Sequence, residues 1–333
     1  MAKKGGSMLT IVILNYNGWE DTIACLESLM RQSYTDYRVV VADNGSTDNS
    51  VSHIIEWATL HQPSHIVLEE GKLAESEKWL TILRLSQNYG FAKGNNLAIK
   101  AMHQLPADYW MCLNNDTEMA SDCLELLIEY AKNHKDVSVL TPAIRLYSRP
   151  EIMWNAGGKL TFGGRRYYCC MRPAASLSNK TTIDITFVTG CALLVRADIL
   201  QGYSLFTEKF FFGEEDFDFS LKMSSEGRRM VCLLSALVYH KVSASMKQYM
   251  SYNKLFIHTL NRMINLREHY PNWQYKLWRS LFVPYIRIRF LRGLSMSERN
   301  TFTRLLRCEA KKQDGVSREL FEYYLNYSFH DKK

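Results

Sequence analysis

Between Leu9 and Asn133 the chain passes four times from a short apolar run, through a polar turn, into a segment of helical period, and that repetition leaves few folds open. Leu9–Leu14 leads into Asn15-Tyr16-Asn17-Gly18 and helical spacing from Ile23 to Met30. Tyr37–Ala42 leads into Asp43-Asn44-Gly45-Ser46-Thr47-Asp48 and a helix from about Ser50 to Leu60. Ile82–Leu85 precedes Gln87-Asn88-Tyr89-Gly90 and a helix from about Lys93 to His103. Tyr109–Leu113 precedes Asn114-Asn115-Asp116 and a helix from about Ser121 to Asn133. Strands alternating with helices predict a parallel sheet, because each helix carries the chain back to the sheet end at which the preceding strand began. The loops at the strand C-terminal ends then share one edge, where a binding crevice forms.

With 333 residues, 47% hydrophobic and 23% charged, the chain can bury a large core with an appendage. No apolar run approaches the roughly 18 residues that span a bilayer. Met1–Ser7 lacks the apolar centre of a signal peptide, so the expected location is the cytoplasm. The eight cysteines show no paired C-x-x-C spacing and read as reduced core residues. Charge divides the chain. Residues 241–333 hold 18 Lys and Arg against 7 Asp and Glu, while the rest holds 23 against 27. We therefore expect an α/β domain over 1–245 and a basic helical region over 246–333, with helices at 248–269, 272–292 and 297–327. Its positive charge suits nucleic acid, anionic lipid or a phosphorylated substrate, and composition does not choose among them. Residues 61–80 read as a charged, exposed insertion and 145–183 as a long loop region. Phe187–Val195, Val231–Leu234 and Ala236–His240 read as further strands.

Phe210–Phe219 packs four carboxylates (Glu214, Glu215, Asp216, Asp218) among five aromatic rings. Desolvation and mutual repulsion there would raise at least one carboxyl pKa, as a general base for an alcohol requires. The same residues also suit the start of an amphipathic helix. Asp116, at a strand end, can ligate a hard divalent cation or cap a turn. His240 is a metal ligand or a core residue. Asn44-Gly45 is turn chemistry. Trp154, Arg165 and Arg166 belong to a mobile lip over the site that offers rings to sugar and cations to phosphate, or to a surface loop with one buried Trp. Arg279–Arg292 is basic and apolar together, which suits an anionic membrane surface or a helix packed on its own core.

Taken in order, Ile13–Gly18, Val41–Asp48, Asn88–Asn96, Leu113–Thr117, Thr189–Ala192 and Glu215–Asp218 resemble the successive motifs of family 2 inverting glycosyltransferases. The likeness is closest to the rhamnosyltransferase-type members that build bacterial surface polysaccharides. It implies a GT-A fold, a Rossmann-like, mixed, mostly parallel sheet flanked by helices. It also implies a nucleotide-sugar donor linked to dTDP or UDP, an acceptor hydroxyl on a glycan or lipid-linked chain, and Mg²⁺ or Mn²⁺. By matching position, Asn15, Tyr16 and Asp43 face the base and ribose, and Asn88, Gly90, Lys93 and Asn95 the ribose and phosphates. Asn114 stands at the first acid of the D-x-D-like motif, Asp116 at its metal-binding Asp, Asp216 at the catalytic base, and His240 at a histidine that contacts metal or diphosphate. Glu215 and Asp218 are then expected to keep the local potential negative and hold up the Asp216 pKa, with nothing beyond local potential or capping asked of Glu214. The rival readings are a nucleotidyltransferase, which lacks its Gly-rich basic first loop here, and a nucleotide-sugar-binding scaffold without turnover. A nucleic-acid partner is not expected, because the crevice is acidic and no binding motif is present.

Overall fold

The computed structural model of the protein describes residues 7–61, 64–177, 179–200, 202–242 and 251–329. The expected boundary between 245 and 246 lies outside them. In chain order the elements begin β1 (Leu9–Asn15), α1 (Trp19–Met30), β2 (Tyr37–Asp43), α2 (Ser50–His61), β3 (His65–Glu69), β4 (Leu80–Arg84), α3 (Phe91–Met102), β5 (Tyr109–Asn114), β6 (Thr117–Met119) and α4 (Cys123–Asn133). They continue with β7 (Val137–Leu146), β8 (Ile152–Asn155), β9 (Gly158–Thr161), β10 (Gly164–Tyr167), β11 (Arg172–Pro173), β12 (Thr182–Ile185), β13 (Ala192–Arg196), α5 (Glu215–Ser225) and β14 (Arg229–His240). Four helices follow: α6 (Tyr252–His269), α7 (Asn272–Arg289), α8 (Met296–Lys312) and α9 (Arg318–Leu325).

The main sheet runs β11-β8-β7-β13-β5-β1-β2-β4-β3. It is parallel from β5 to β3, and antiparallel β13 joins that half to the mixed half beyond. Parallel register sets the site edge: Asn15 lies opposite Asp43, Leu14 opposite Asn114, and Asp43 opposite Arg84. α1, α2 and α4 cover one face through Leu26, Trp57 and Leu127, while α3 and α5 cover the other through Ile99, Met102 and Phe219. A third core gathers Phe256, Trp278 and Phe302 of the C-terminal helices around Phe187, Phe210 and Phe217. The acidic stretch is thus anchored by its own rings between the sheet and the C-terminal helices.

Several elements differ from expectation. The 61–80 insertion contains β3, an edge strand paired in parallel with β4. The 145–183 region is not structureless, because β8, β11 and β12 join the main sheet and β9 and β10 form a separate hairpin. Ser235 does not divide the strand after Arg229, which runs unbroken for 12 residues as β14. The last expected helix splits into α8 and α9, since Val316 leaves helical geometry to donate its N–H to the Lys209 carbonyl (2.7 Å) and accept from the Phe211 N–H (2.8 Å). Cys170 and Cys308 are exposed rather than core. Among the described residues no helix is long and apolar enough to cross a membrane.

Gly90 sits at φ +81°, and a Cβ there would stand 2.0 Å from the Phe211 carbonyl oxygen. Gly90→Ala should therefore destabilise the fold by about 1–3 kcal/mol, read as a lower midpoint in thermal unfolding.

Candidate active site

The loops at the strand ends are tied together by their own side chains. Asn15 is fully buried, and its Nδ2 donates to Asp43 Oδ2 at 2.7 Å while its Oδ1 accepts from Thr22 Oγ1 at 2.8 Å. Asp43 also accepts from the Ser46 N–H and hydroxyl, at 3.0 and 2.6 Å. Asn44 donates to Asn88 Oδ1 and the Gly90 carbonyl and accepts from the Tyr89 N–H, so it is more than turn chemistry. Much of the hydrogen-bonding capacity expected to meet a ligand at Asn15, Asp43 and Asn88 goes into shaping the loops. Asn95 likewise donates to the Phe91 carbonyl of its own helix at 2.8 Å. Tyr16, 45% exposed, and exposed Lys93, whose Nζ lies 4.7 Å from the Tyr89 ring centre, are left facing outward. Asn114 is half-buried at the end of β5, its carbonyl accepting from Thr117 Oγ1.

Asp116 and His240 are brought together by a strand pairing. β6 begins immediately after Asp116 and runs antiparallel to β14, with Thr117 opposite His240. His240 Nε2 lies 3.0 Å from Asp116 Oδ1, and the Trp154 ring packs edge-on against His240 with centroids 4.5 Å apart. Trp154 therefore supports this pair instead of forming a lip. Burial opposes protonation of His240, but charge and hydrogen bonding from Cys191 and Asp116 outweigh it and lift its pKa to about 10. The donor types suit a divalent cation, but as placed the Nε2 proton lies between the two side chains, so a cation held there would have to displace it. Among the described residues no group of three or more His, Cys, Asp or Glu could hold a metal, so water or phosphate oxygens would complete the shell.

The acidic turn is built from outside the sheet. Glu214, in the left-handed region at φ +72°, is buried. Its Oε1 accepts from Arg165 at 3.1 Å and from Arg262 at 2.7 Å, and its Oε2 from Arg262 Nε at 3.0 Å. Burial alone would raise the Glu214 carboxyl; the two guanidiniums outweigh it and hold it below the ordinary range. Asn261 donates to the Phe212 and Gly213 carbonyls, and Asn265 to the Glu214 carbonyl. Asp218 accepts from Lys209 Nζ at 3.1 Å and pairs with His269 Nε2 at 3.0 Å, which overcome burial and lower its pKa. Glu214, not the neutralised Asp218, is the carboxylate that raises Asp216. Burial is the largest cause of that rise, and Arg165 opposes it. Glu215 is pushed up to about 8 by burial and by the charge of Asp216, and its Oε2 is buried without a partner. Both carboxyls are raised and titrate as one unit: the Asp216 charge lifts Glu215 while Arg165 favours charge on Asp216, so the proton the pair shares is favoured on Glu215.

Arg165, expected in a mobile lip, is a half-buried ion-pair partner on β10, while Arg166 beside it is exposed. Asn96, the last residue of the Asn88–Asn96 stretch, holds the 204–208 loop through Ser204, Phe206 and Glu208. Sequence reasoning missed Asn261, Arg262, Asn265 and His269. Their spacing, at 261, 262, 265 and 269, sets them along one side of α6.

A family model described as glycosyl transferase family 2 matches residues 10–203, more than half of the chain. A relative is the teichoic acid poly(glycerol phosphate) polymerase of Staphylococcus epidermidis, 27% identical over 125 residues, 38% of this chain. The match covers 15% of that relative's length. The fold is similar to that of the Pyrobaculum calidifontis mannosyltransferase PcManGT in complex with GDP-Man and Mn²⁺, with TM-score 0.56 and 14% identity over 93% of this chain and 76% of that one. It is similar also to GalNAc-T7 with UDP, GalNAc and Mn²⁺, with TM-score 0.61 and 14% identity over 92% and 56% of the two chains. S. aureus TarS in complex with UDP superposes with TM-score 0.50 and 17% identity over 96% and 91%.

Two outcomes follow from the acidic turn. Arg262→Met leaves buried Glu214 short of a partner and should cost about 3 kcal/mol; adding Glu214→Gln should restore part of it, measured by denaturant unfolding. Because the Glu215 carboxyl titrates higher folded than unfolded, the folded state binds the extra proton and stability falls as pH rises from about 4.5 toward 8. Glu215→Gln should make that fall shallower in melts across the same range.

Proposed function

The chain belongs to glycosyl transferase family 2, and from that premise we propose that it moves a sugar, with inversion, from a nucleoside-diphosphate donor to an acceptor hydroxyl during assembly of a cell-wall or surface polymer. One observation carries the reading: the Phe211 carbonyl lies against Gly90, so the acidic turn begins where the loops at the strand ends finish. Donor loops and a candidate base therefore adjoin.

In this reading the acceptor oxygen forms a bond to the sugar C1 as the bond from C1 to the diphosphate oxygen breaks. The nucleoside diphosphate leaves with the electron pair, and the acceptor proton passes to Asp216. Arg165 favours charge on Asp216, so the proton that the pair shares is favoured on Glu215, which spares the site a second negative charge. Asp218 is a positioning residue that ties the first turn of α5 to Lys209 and His269. Tyr16 and Lys93 meet the donor, with Asn15, Asp43, Asn88, Gly90, Asn95 and Asn114 shaping the surface it rests on. Asp116 and His240 would hold Mg²⁺ or Mn²⁺, which neutralises charge on the departing diphosphate. The Mn²⁺ in two neighbouring structures supports that cofactor, and the teichoic acid polymerase relative and the UDP complex of TarS support a wall polymer and a UDP-linked donor. dTDP-rhamnose is the other donor that the motif resemblance supports.

Asp216→Asn should lower kcat by about 10²–10⁴ with donor affinity kept, measured by release of nucleoside diphosphate and by donor titration. Transfer at the unaltered rate would remove Asp216 from the role. Asp116→Ala should weaken donor binding only when Mn²⁺ is present.

A further inference from the structure

Helix α7 is apolar on two opposite sides. Tyr275, Trp278, Val283 and Ile286 are buried in the C-terminal core. At about 3.6 residues per turn, the side facing away from them collects Trp273, Leu277, Leu281, Tyr285 and Ile288, which are 69, 49, 61, 52 and 64% exposed. Single exposed apolar side chains are ordinary on a protein surface, but five aligned along one helix form a patch that calls for a cover.

Charge around this stripe has one sign. By the same helical spacing Lys276 and Arg287 flank it on one side and Arg289 on the other, and the chain carries no Asp or Glu between Glu268 and Glu298. The elements packed against α7 supply no free carboxylate either. The β9–β10 hairpin, whose Gly163 lies against Trp278, carries Lys159 and Arg166 besides Arg165 and has no acid. Glu214 and Asp216 act on Arg165 and Arg262 within the acidic turn, so those two guanidiniums are left out of the count for α7. In α6 the acid is Glu268, which pairs with Lys209. In α8, Glu298 and Glu309 are buried, the first in a capping box with Ser295.

This pattern selects the occupant. A second copy of the chain meeting this face by a two-fold axis would set Lys276, Arg287 and Arg289 against the same cations, which repel. We propose that the exposed face of α7 docks on an anionic phospholipid bilayer. The helix lies in the plane of the interface, with Leu277, Leu281 and Ile288 entering the headgroup boundary, Trp273 and Tyr285 at headgroup level, and Lys276, Arg287 and Arg289 against lipid phosphates. Docking rests on the surface of α7 alone and not on the transferase reading. It also sets an orientation: Tyr285 and Ile286 line the same cavity as Glu214, so the bilayer lies on the side where the acidic turn opens.

The test is flotation of the full chain with vesicles of phosphatidylcholine alone and of phosphatidylcholine carrying about one-third phosphatidylglycerol. Binding to the anionic vesicles should be at least tenfold tighter than to the neutral ones and should weaken as salt is raised. Leu281→Glu and Ile288→Glu should each weaken it at least tenfold, and the pair Lys276→Gln with Arg289→Gln should reduce the preference for anionic lipid. Leu60→Glu, the same change of charge at a 74% exposed leucine on α2, should leave binding as it was. An unchanged thermal midpoint verifies that each variant folds. Absence of binding to anionic vesicles, or equal binding by folded Leu281→Glu and Ile288→Glu, would overturn the proposal. So would a dimer in light scattering that Ile288→Glu dissociates, since the face would then belong to a second copy.

Discussion

The buried Glu214 carboxylate, gripped by Arg165 from one side and Arg262 from the other, is the contact on which the rest of this site depends. A carboxylate desolvated to this degree is tolerable only with its cations in place, and those come from two distant parts of the chain, the β9–β10 hairpin and α6. Pairing them sets the left-handed backbone at Glu214, and that turn starts α5 with Glu215 and Asp216 in its first residues. The helix N-terminus and Arg165 then favour negative charge where burial opposes it. Asp216 and Glu215 respond differently because Arg165 acts on Asp216.

The C-terminal helices consequently do more than carry charge. Asn261 and Asn265 hold the turn by its carbonyls, His269 pairs with Asp218, and Val316 pairs with the backbone on the way into it. Arg318 reaches the Asn88 carbonyl at 3.3 Å, so α9 also touches the loop that ends at Gly90. The sheet supplies the edge where the strand-end loops gather, while the helices beyond it determine how the acidic turn is presented.

The sheet was legible in the sequence because its strands are short apolar runs ending in polar turns, a pattern fixed by local chemistry and by the parallel crossover. The meeting of Asp116 with His240 was legible only through resemblance, since it depends on β6 pairing with β14 across more than a hundred residues. The Glu214 clasp was not read at all. An acidic cluster announces a field but not which of its members is neutralised, and that depends on cations at Arg165 and Arg262 whose approach is a tertiary fact. Asn15, Asp43 and Asn88 show the converse: residue types that suit a ligand are here engaged with one another, which composition and spacing cannot distinguish from binding.

The central claim is that Asp216, not Glu215, takes the charge when the pair loses its first proton, and so is the carboxylate available to accept one. Carbon-13 NMR titration of carboxyl-labelled protein, assigned with the Glu215→Gln and Asp216→Asn variants, measures this directly. The account predicts a resonance titrating near pH 8 that vanishes in Glu215→Gln, with Asp216 titrating below it. If the resonance titrating near pH 8 is instead an aspartate carboxyl that persists in Glu215→Gln, Asp216 holds the proton and the assignment of the base is wrong.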